Sequence, residues 1–193
     1  TAAVFRNTRE NYKVADFDPA NPLLGEQTLD GEARVDGLTL GVAGRINHAW
    51  SVFANATFLD SEVLRNVSDF CLANPGQNGC TNTPANPDPE AGLPIVQTPE
   101  RSASLWTTYQ FAIDWTLGYG VTYQDDFRLA GSNYSQGYTT HRAMLGYTVN
   151  AALSLQLNVN NVLDEDYFIR VRNNGWATPG EARSATLTAT YAF

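Results

Sequence analysis

Five stretches of this chain combine alternating side chains with a complete absence of charge, and that combination limits its fold more than any other feature. Trp50–Leu59, Ser102–Ile113, Trp115–Gln124, Ala143–Leu163 and Ser184–Phe193 contain no Asp, Glu, Lys or Arg. Side chains alternate across a strand, so period-two patterning gives each strand one apolar and one polar face. In the segment from Leu153, the side chains of Leu153, Leu155, Leu157 and Val159 share one face, and Ser154, Gln156, Asn158 and Asn160 share the other. At the end of the chain Leu187, Ala189, Tyr191 and Phe193 oppose Ser184, Thr186, Thr188 and Thr190. A soluble sandwich would carry Lys and Glu on its solvated faces. A charge facing lipid at the bilayer midplane costs about 2–4 kcal/mol, so strands that avoid charge over ten residues read as membrane-spanning. No run of about 18 apolar residues exists, so the chain offers no transmembrane helix.

The pattern predicts an all-β chain, an antiparallel transmembrane β-barrel segment with eight strands. They are Ala2–Tyr12, a second centred on Leu38, Leu40, Val42 and Ile46, then Trp50–Phe58, Ser102–Phe111, Trp115–Gln124, Thr139–Val149, a seventh from Leu153, and a last one ending at Phe193. Their connections alternate long and short. Asn47–Ala49, Ile113–Asp114 and Asn150–Ala152 are tight turns; Lys13–Leu29, Asp60–Thr98, Asp125–Gly137 and Asp164–Gly180 are loops. Asp18-Pro19 and Asn21-Pro22 mark the first loop as a chain breaker. Short periplasmic turns and long extracellular loops are the outer-membrane pattern. Trp50, Trp115, Tyr109, Phe111 and Tyr147 fall at one depth beside the short turns, as an interfacial aromatic girdle would.

The ending also resembles a family. Asn158-Val159-Asn160-Asn161-Val162-Leu163-Asp164-Glu165-Asp166-Tyr167 is similar to the penultimate-strand signature of TonB-dependent outer-membrane receptors. Pro179-Gly180-Glu181-Ala182-Arg183, followed by a short strand ending in Tyr191-Ala192-Phe193, resembles how those receptors finish. The nearest likeness is to ferric-siderophore receptors. The resemblance implies that residues 1–193 are the C-terminal portion, about eight strands, of a plugged barrel of about 22 strands. The plug domain and its TonB box are absent from this chain. It implies an active importer of ferric siderophores of catecholate type, energised by the TonB complex. It further implies that Tyr191 and Phe193 signal to the barrel assembly machinery, and that lipids and lipopolysaccharide of the Gram-negative outer membrane surround the strands. The opening Thr1-Ala2-Ala3-Val4-Phe5 shows no signal peptide, as in a mature exported protein or a fragment of one.

Cys71 and Cys80 lie in a polar, Pro- and Gly-rich loop. In an exported chain a lone nearby pair is most simply a disulfide, with two free thiols as the alternative. The loops also carry groups suited to an anionic aromatic ligand: Arg128, Tyr134 and Tyr138 in one, Phe168, Arg170, Arg172 and Trp176 in the last. Arginine offers a planar fork to oxyanions, and aromatic rings stack on planar groups. Loop packing and lipopolysaccharide contact would use the same residue types.

No catalytic constellation is present, so the chain is not read as an enzyme and no cofactor is expected. There is no G-x-S-x-G, P-loop or H-E-x-x-H. His48 and His141 fall at opposite strand ends, which leaves no histidine metal pair. His141 either lines the upper edge of the lumen or faces the membrane interface. Asp88-Pro89-Glu90, Asp125-Asp126 and Asp164-Glu165-Asp166 match no calcium-loop spacing, so no metal site is expected. A formal net charge of −8 with no basic stripe argues against a nucleic-acid partner. Two other readings stand beside the receptor. One is a self-contained eight-stranded outer-membrane barrel acting as adhesin or anchor. The other is a secreted carbohydrate-binding sandwich, which must explain the charge-free strands.

Overall fold

The structure, a computed structural model, describes residues 1–20, 27–130, 133–172 and 175–193. Eight long strands form one antiparallel sheet: β1 (Ala2–Ala15), β2 (Gln27–Arg45), β3 (Trp50–Arg65), β4 (Arg101–Ala112), β5 (Trp115–Gln124), β8 (Tyr138–Thr148), β9 (Leu153–Asn160) and β12 (Ser184–Tyr191). They follow one another in the sheet in chain order. Two small hairpins sit in the connections, β6 (Phe127–Ala130) with β7 (Asn133–Ser135), and β10 (Phe168–Val171) with β11 (Ala177–Pro179). A short helix, α1 (Asp69–Ala73), follows β3. The chain divides into two compact units, each described by itself: Thr1–Ala3, Leu38–Phe58 and Pro99–Phe193, and Val4–Gly37 with Leu59–Thr98.

In the first unit the register turns the sequence alternation into continuous rows. Trp50 opposes Tyr109, Tyr109 opposes Leu117, Leu117 opposes Leu145, Leu145 opposes Leu157 and Leu157 opposes Leu187. One apolar row thus crosses six strands, and most of it is exposed: Tyr109 at 47%, Leu117 at 48% and Leu187 at 69%, with Leu145 half-buried. A contiguous apolar face of this extent belongs against another apolar phase. The adjacent row on the opposite face is Ser51, Thr108, Gly118, Met144, Asn158 and Thr186. The aromatic girdle forms as expected at the short-turn end. Trp115 stacks on Tyr147 at 4.3 Å between ring centroids, and Phe111 lies 6.3 Å from Trp115. Two of the three tight turns are closed by asparagine side chains. Asn47 Oδ1 accepts from the Ala49 amide at 2.9 Å, and Asn150 Oδ1 accepts from Ala152 and Leu153 at 2.9 and 3.0 Å.

The polar face differs from expectation in its large residues. Phe53 opposes Trp106, Trp106 opposes Gly120, and Gly120 opposes Arg142. The indole lies against a strip where β5 has no side chains. A Cβ added at Gly120 would come within 2.6 Å of the Trp106 ring, and one at Gly118 within 2.8 Å. The Arg142 guanidinium sits 5.9 Å from the same ring. His141 takes the interface alternative: it opposes Val121 on the apolar face, and its Nδ1 is 2.6 Å from the Tyr119 hydroxyl.

The second unit corrects three strand ends. Lys13–Ala15 and Gln27–Leu29, expected as loop, are strand, and β3 continues through Asp60 to Arg65. Beyond the apolar segments the rungs carry charge: Arg6 donates to Asp36 at 2.6 and 2.8 Å, and Arg34 pairs with Asp36 at 3.6 Å and with Glu62 at 2.6 Å. Cross-strand ion pairs take the place of apolar pairs on these rungs, and the backbone ladder continues past the hydrophobic alternation. The segment after β3 is also more ordered than its composition suggests. The Val63 amide donates to Leu93 O and the Gly92 amide to Val63 O, both at 2.9 Å. Ser68 caps α1, its Oγ accepting from the Cys71 amide at 3.2 Å. The Asn21-Pro22 turn signal lies outside the described residues.

Candidate functional site

The site predicted from the sequence sits on the long-loop side of the first unit, where two hairpins rise from strands β5, β8, β9 and β12. The residues of the family-like ending hold the base of the second hairpin. Asn161 is 3% exposed and has a left-handed backbone (φ 46°). Its Nδ2 donates to the Glu165 and Glu181 carbonyls, each at 2.9 Å, and its Oδ1 accepts from the Glu165 amide at 2.9 Å. Asp164 accepts from the Arg183 amide at 3.2 Å and from its guanidinium at 3.0 Å. Tyr167 covers Gly180 so closely that no Cβ fits there, and the Gly180 amide donates to Tyr167 O at 2.7 Å. Glu181 accepts from Ser184 Oγ at 2.6 Å and from Asn160 Nδ2 at 3.2 Å. These two hydrogen bonds, that from Ser184 foremost, hold its carboxyl below the usual glutamate range.

The seven predicted ligand residues divide by exposure. Phe168 (47%), Arg170, Arg172 and Trp176 (73%) are all exposed on or beside the β10–β11 hairpin. The Arg172 amide donates to Trp176 O at 2.7 Å, so those two are backbone partners across the hairpin tip. On the other hairpin Tyr134 is 54% exposed and opposes Arg128 in register. Arg128 is only 2% exposed. Tyr138 packs: its ring lies 4.4 Å from Tyr167, and its hydroxyl donates to Gln124 Oε1 at 3.4 Å. The Tyr138–Tyr167 pair therefore joins the bases of the two loops. Asn161 and Glu181 shape the loop base, a role their positions in the sequence do not announce. A buried asparagine in the left-handed region just after a strand is the kind of residue that carries such a role.

Cys71 and Cys80, in the second unit, are disulfide-bonded, with Cα atoms 5.5 Å apart. Among the described residues no group of three His, Cys, Asp or Glu is arranged to hold a metal ion.

An antiparallel sheet with one lipid-compatible face, an aromatic girdle, tight turns at one end and long loops at the other is the wall of an outer-membrane β-barrel. The chain matches the family model of TonB dependent receptor-like β-barrels over residues 1–162, and it belongs to that family. It is 33% identical over its whole length to the probable TonB-dependent siderophore receptor PiuA of Acinetobacter baumannii, covering 24% of that protein. It is 32% identical, again over its whole length, to the catecholate siderophore receptor Fiu of Escherichia coli K12, covering 23% of it. The crystal structure of PiuA superposes with a TM-score of 0.81 over 98% of this chain and 25% of that one. The closed form of the ferric-catecholate import receptor Fiu gives 0.75 at 30% identity over all of this chain and 25% of that one. The chain thus spans about a quarter of the length of these relatives.

Proposed function

We propose that this chain is the C-terminal barrel portion of an active importer of ferric siderophores of catecholate type. The observation that carries the reading is the exposed set Phe168, Arg170, Arg172 and Trp176, with Tyr134 on the neighbouring hairpin. A ferric catecholate is anionic and aromatic, so guanidinium forks and ring faces meet both of its properties. The names of PiuA and Fiu, siderophore and catecholate siderophore receptors, support the same class. In this reading the four long loops face the cell exterior and form part of a ligand vestibule, and the short turns face the periplasm. The plug that engages the TonB complex belongs to the rest of the receptor. Tyr191 and Phe193, both exposed, serve recognition by the barrel assembly machinery. The strand order supports a segment over a self-contained eight-stranded adhesin or anchor: it runs from β1 to β12, and among the described residues no pairing joins those two edges.

The test is uptake of a radiolabelled ferric catecholate by cells whose only catecholate receptor is the full-length protein carrying this chain. Double substitution Arg170→Ala, Arg172→Ala and single substitution Trp176→Ala are each expected to weaken half-saturation by about tenfold, ~1.4 kcal/mol. Wild-type cells that take up no catecholate, with the receptor present in the outer membrane, would refute the reading.

A further inference from the structure

We propose that Tyr138 and Tyr167 are positioning residues that lock the two hairpins of the ligand vestibule to each other, so that groups on both bear on one ligand at a fixed spacing. This positioning role rests on the reading of both hairpins as ligand-binding. The candidate groups are divided between them. Tyr134 stands on the β6–β7 hairpin, and Phe168, Arg170, Arg172 and Trp176 stand on or beside the β10–β11 hairpin. Two hairpins that tilt independently have to be ordered by the ligand, which costs affinity. A joint between them removes part of that cost in advance.

Each tyrosine sits at the neck of one hairpin. Gln124 and Tyr138 face each other in the last paired rung of β5 and β8, and the β6–β7 hairpin is carried between them. The Tyr138 hydroxyl donates to Gln124 Oε1 at 3.4 Å across that rung. Tyr167 immediately precedes β10, and Gly180 immediately follows β11. The Gly180 amide donates to Tyr167 O at 2.7 Å, which closes the neck of the second hairpin. The Tyr167 ring lies over Gly180, and its hydroxyl accepts from the Glu181 amide at 3.3 Å. Each hydroxyl is thus engaged within its own neck. The rings make the contact between necks, with centroids 4.4 Å apart and planes 37° from parallel, and both residues are half-buried. An aromatic pair in such contact is worth about two- to tenfold in an equilibrium. Hydroxyl and ring therefore do different work, and substitution can separate them.

The experiment is hydrogen exchange resolved by peptide on the full-length receptor in detergent micelles, read each time on the hairpin opposite the substitution. It is paired with the dissociation constant of the iron(III) complex of catechol, taken from quenching of receptor fluorescence. Tyr167→Leu should raise exchange in residues 127–135 by about threefold or more, and Tyr138→Leu should do the same in residues 168–179. Tyr167→Phe and Tyr138→Phe keep the ring contact and should leave the opposite hairpin at its wild-type exchange. Asn161→Leu is the control: it loosens the second loop but keeps both rings, which remain in contact most of the time, so residues 127–135 should exchange as in wild type. Each leucine variant should also weaken binding of the iron(III) complex by about two- to tenfold. Heat-modifiable mobility on a gel checks that the barrel of every variant is folded. Opposite-hairpin exchange that is unchanged in both leucine variants, or raised equally by the phenylalanine variants, overturns the proposal. Binding unchanged in both leucine variants, with exchange raised, overturns it as well. A wild-type receptor that does not bind the iron(III) complex defeats the catecholate reading instead, and the exchange comparison still decides whether the tyrosines join the hairpins.

Discussion

Asn161 and Glu181 meet across the base of the last long loop, the Asn161 amide donating to the Glu181 carbonyl at 2.9 Å from a side chain that is almost wholly buried. Replacing it with leucine strands the carbonyls of Glu165 and Glu181 and the Glu165 amide, all of which it now satisfies. Leaving a buried polar group unpaired costs about 1–3 kcal/mol. Asn161→Leu should therefore loosen the segment from Asp164 to Arg183 while the strands below stay paired. Hydrogen exchange resolved by peptide should show faster exchange confined to that segment; exchange identical to wild type would disprove the tie.

Glu181 gives the same loop a pH dependence. Its folded-state carboxyl sits below the usual glutamate range, because Ser184 and then Asn160 donate to the ionised form. A depressed carboxyl contributes stability that is present above the unfolded-state value, about 4.3, and is lost as pH falls through the folded-state value. The loop base should be at full strength at neutral pH and weaken below about pH 4. Glu181→Gln should be less protected than wild type at pH 7 and show a flatter exchange profile between pH 7 and pH 4. Matching profiles for the two proteins would remove Glu181 from the account.

On the opposite face of the sheet, Trp106 occupies the strip left open by two glycines. Gly120→Val would push a Cβ into contact with the indole at 2.6 Å, and Arg142 stands over the same ring. Overpacking of this kind costs about 1–3 kcal/mol. The variant should show a lower thermal midpoint in the gel-shift assay of heat-modifiable barrels. Trp106→Ala should restore part of the loss, because it removes the obstructing ring. A double variant no better than Gly120→Val alone would show that the damage comes from the strand backbone instead.

The eight strands were readable because lipid imposes one rule on one face: every second residue from Leu153 to Val159, or from Trp115 to Tyr123, is apolar or aromatic, and none is charged. That rule ends where the strand leaves the apolar segment. Where β3 runs on past its apolar segment it carries Asp60, Glu62 and Arg65, with Glu62 paired to Arg34 on β2, a composition that resembles a solvated loop in sequence. The candidate ligand residues were readable as types but not by exposure. Arg128 and Trp176 look alike as loop residues suited to an anionic aromatic ligand, yet one is buried and the other stands in solvent. That difference is set by tertiary packing, which no local spacing encodes. Trp106 was hidden for a related reason: its seat is made by glycines on the neighbouring strand, and only the pairing reveals them.

The disulfide closes a short loop, Cys71 to Cys80, nine positions apart. Chain-entropy reasoning assigns such a crosslink about 2–3 kcal/mol. The contribution in the folded receptor should fall below that range, because a second fastening spans the same ground. Asn82 ties Cys71 O to Pro87 O, and the Cys80 amide donates to Gln77 O at 2.9 Å. Cys71→Ser with Cys80→Ser should therefore leave the heat-modifiable barrel intact and raise the proteinase K cleavage rate between Asn74 and Gly79 only several-fold. Adding Asn82→Ala should raise it much further, since the loop then loses both fastenings. Trypsin is unsuited to this test, because no Lys or Arg occurs between Asp69 and Glu100. If the cysteine pair alone produced the full increase, the Asn82 bridge would have no fastening role.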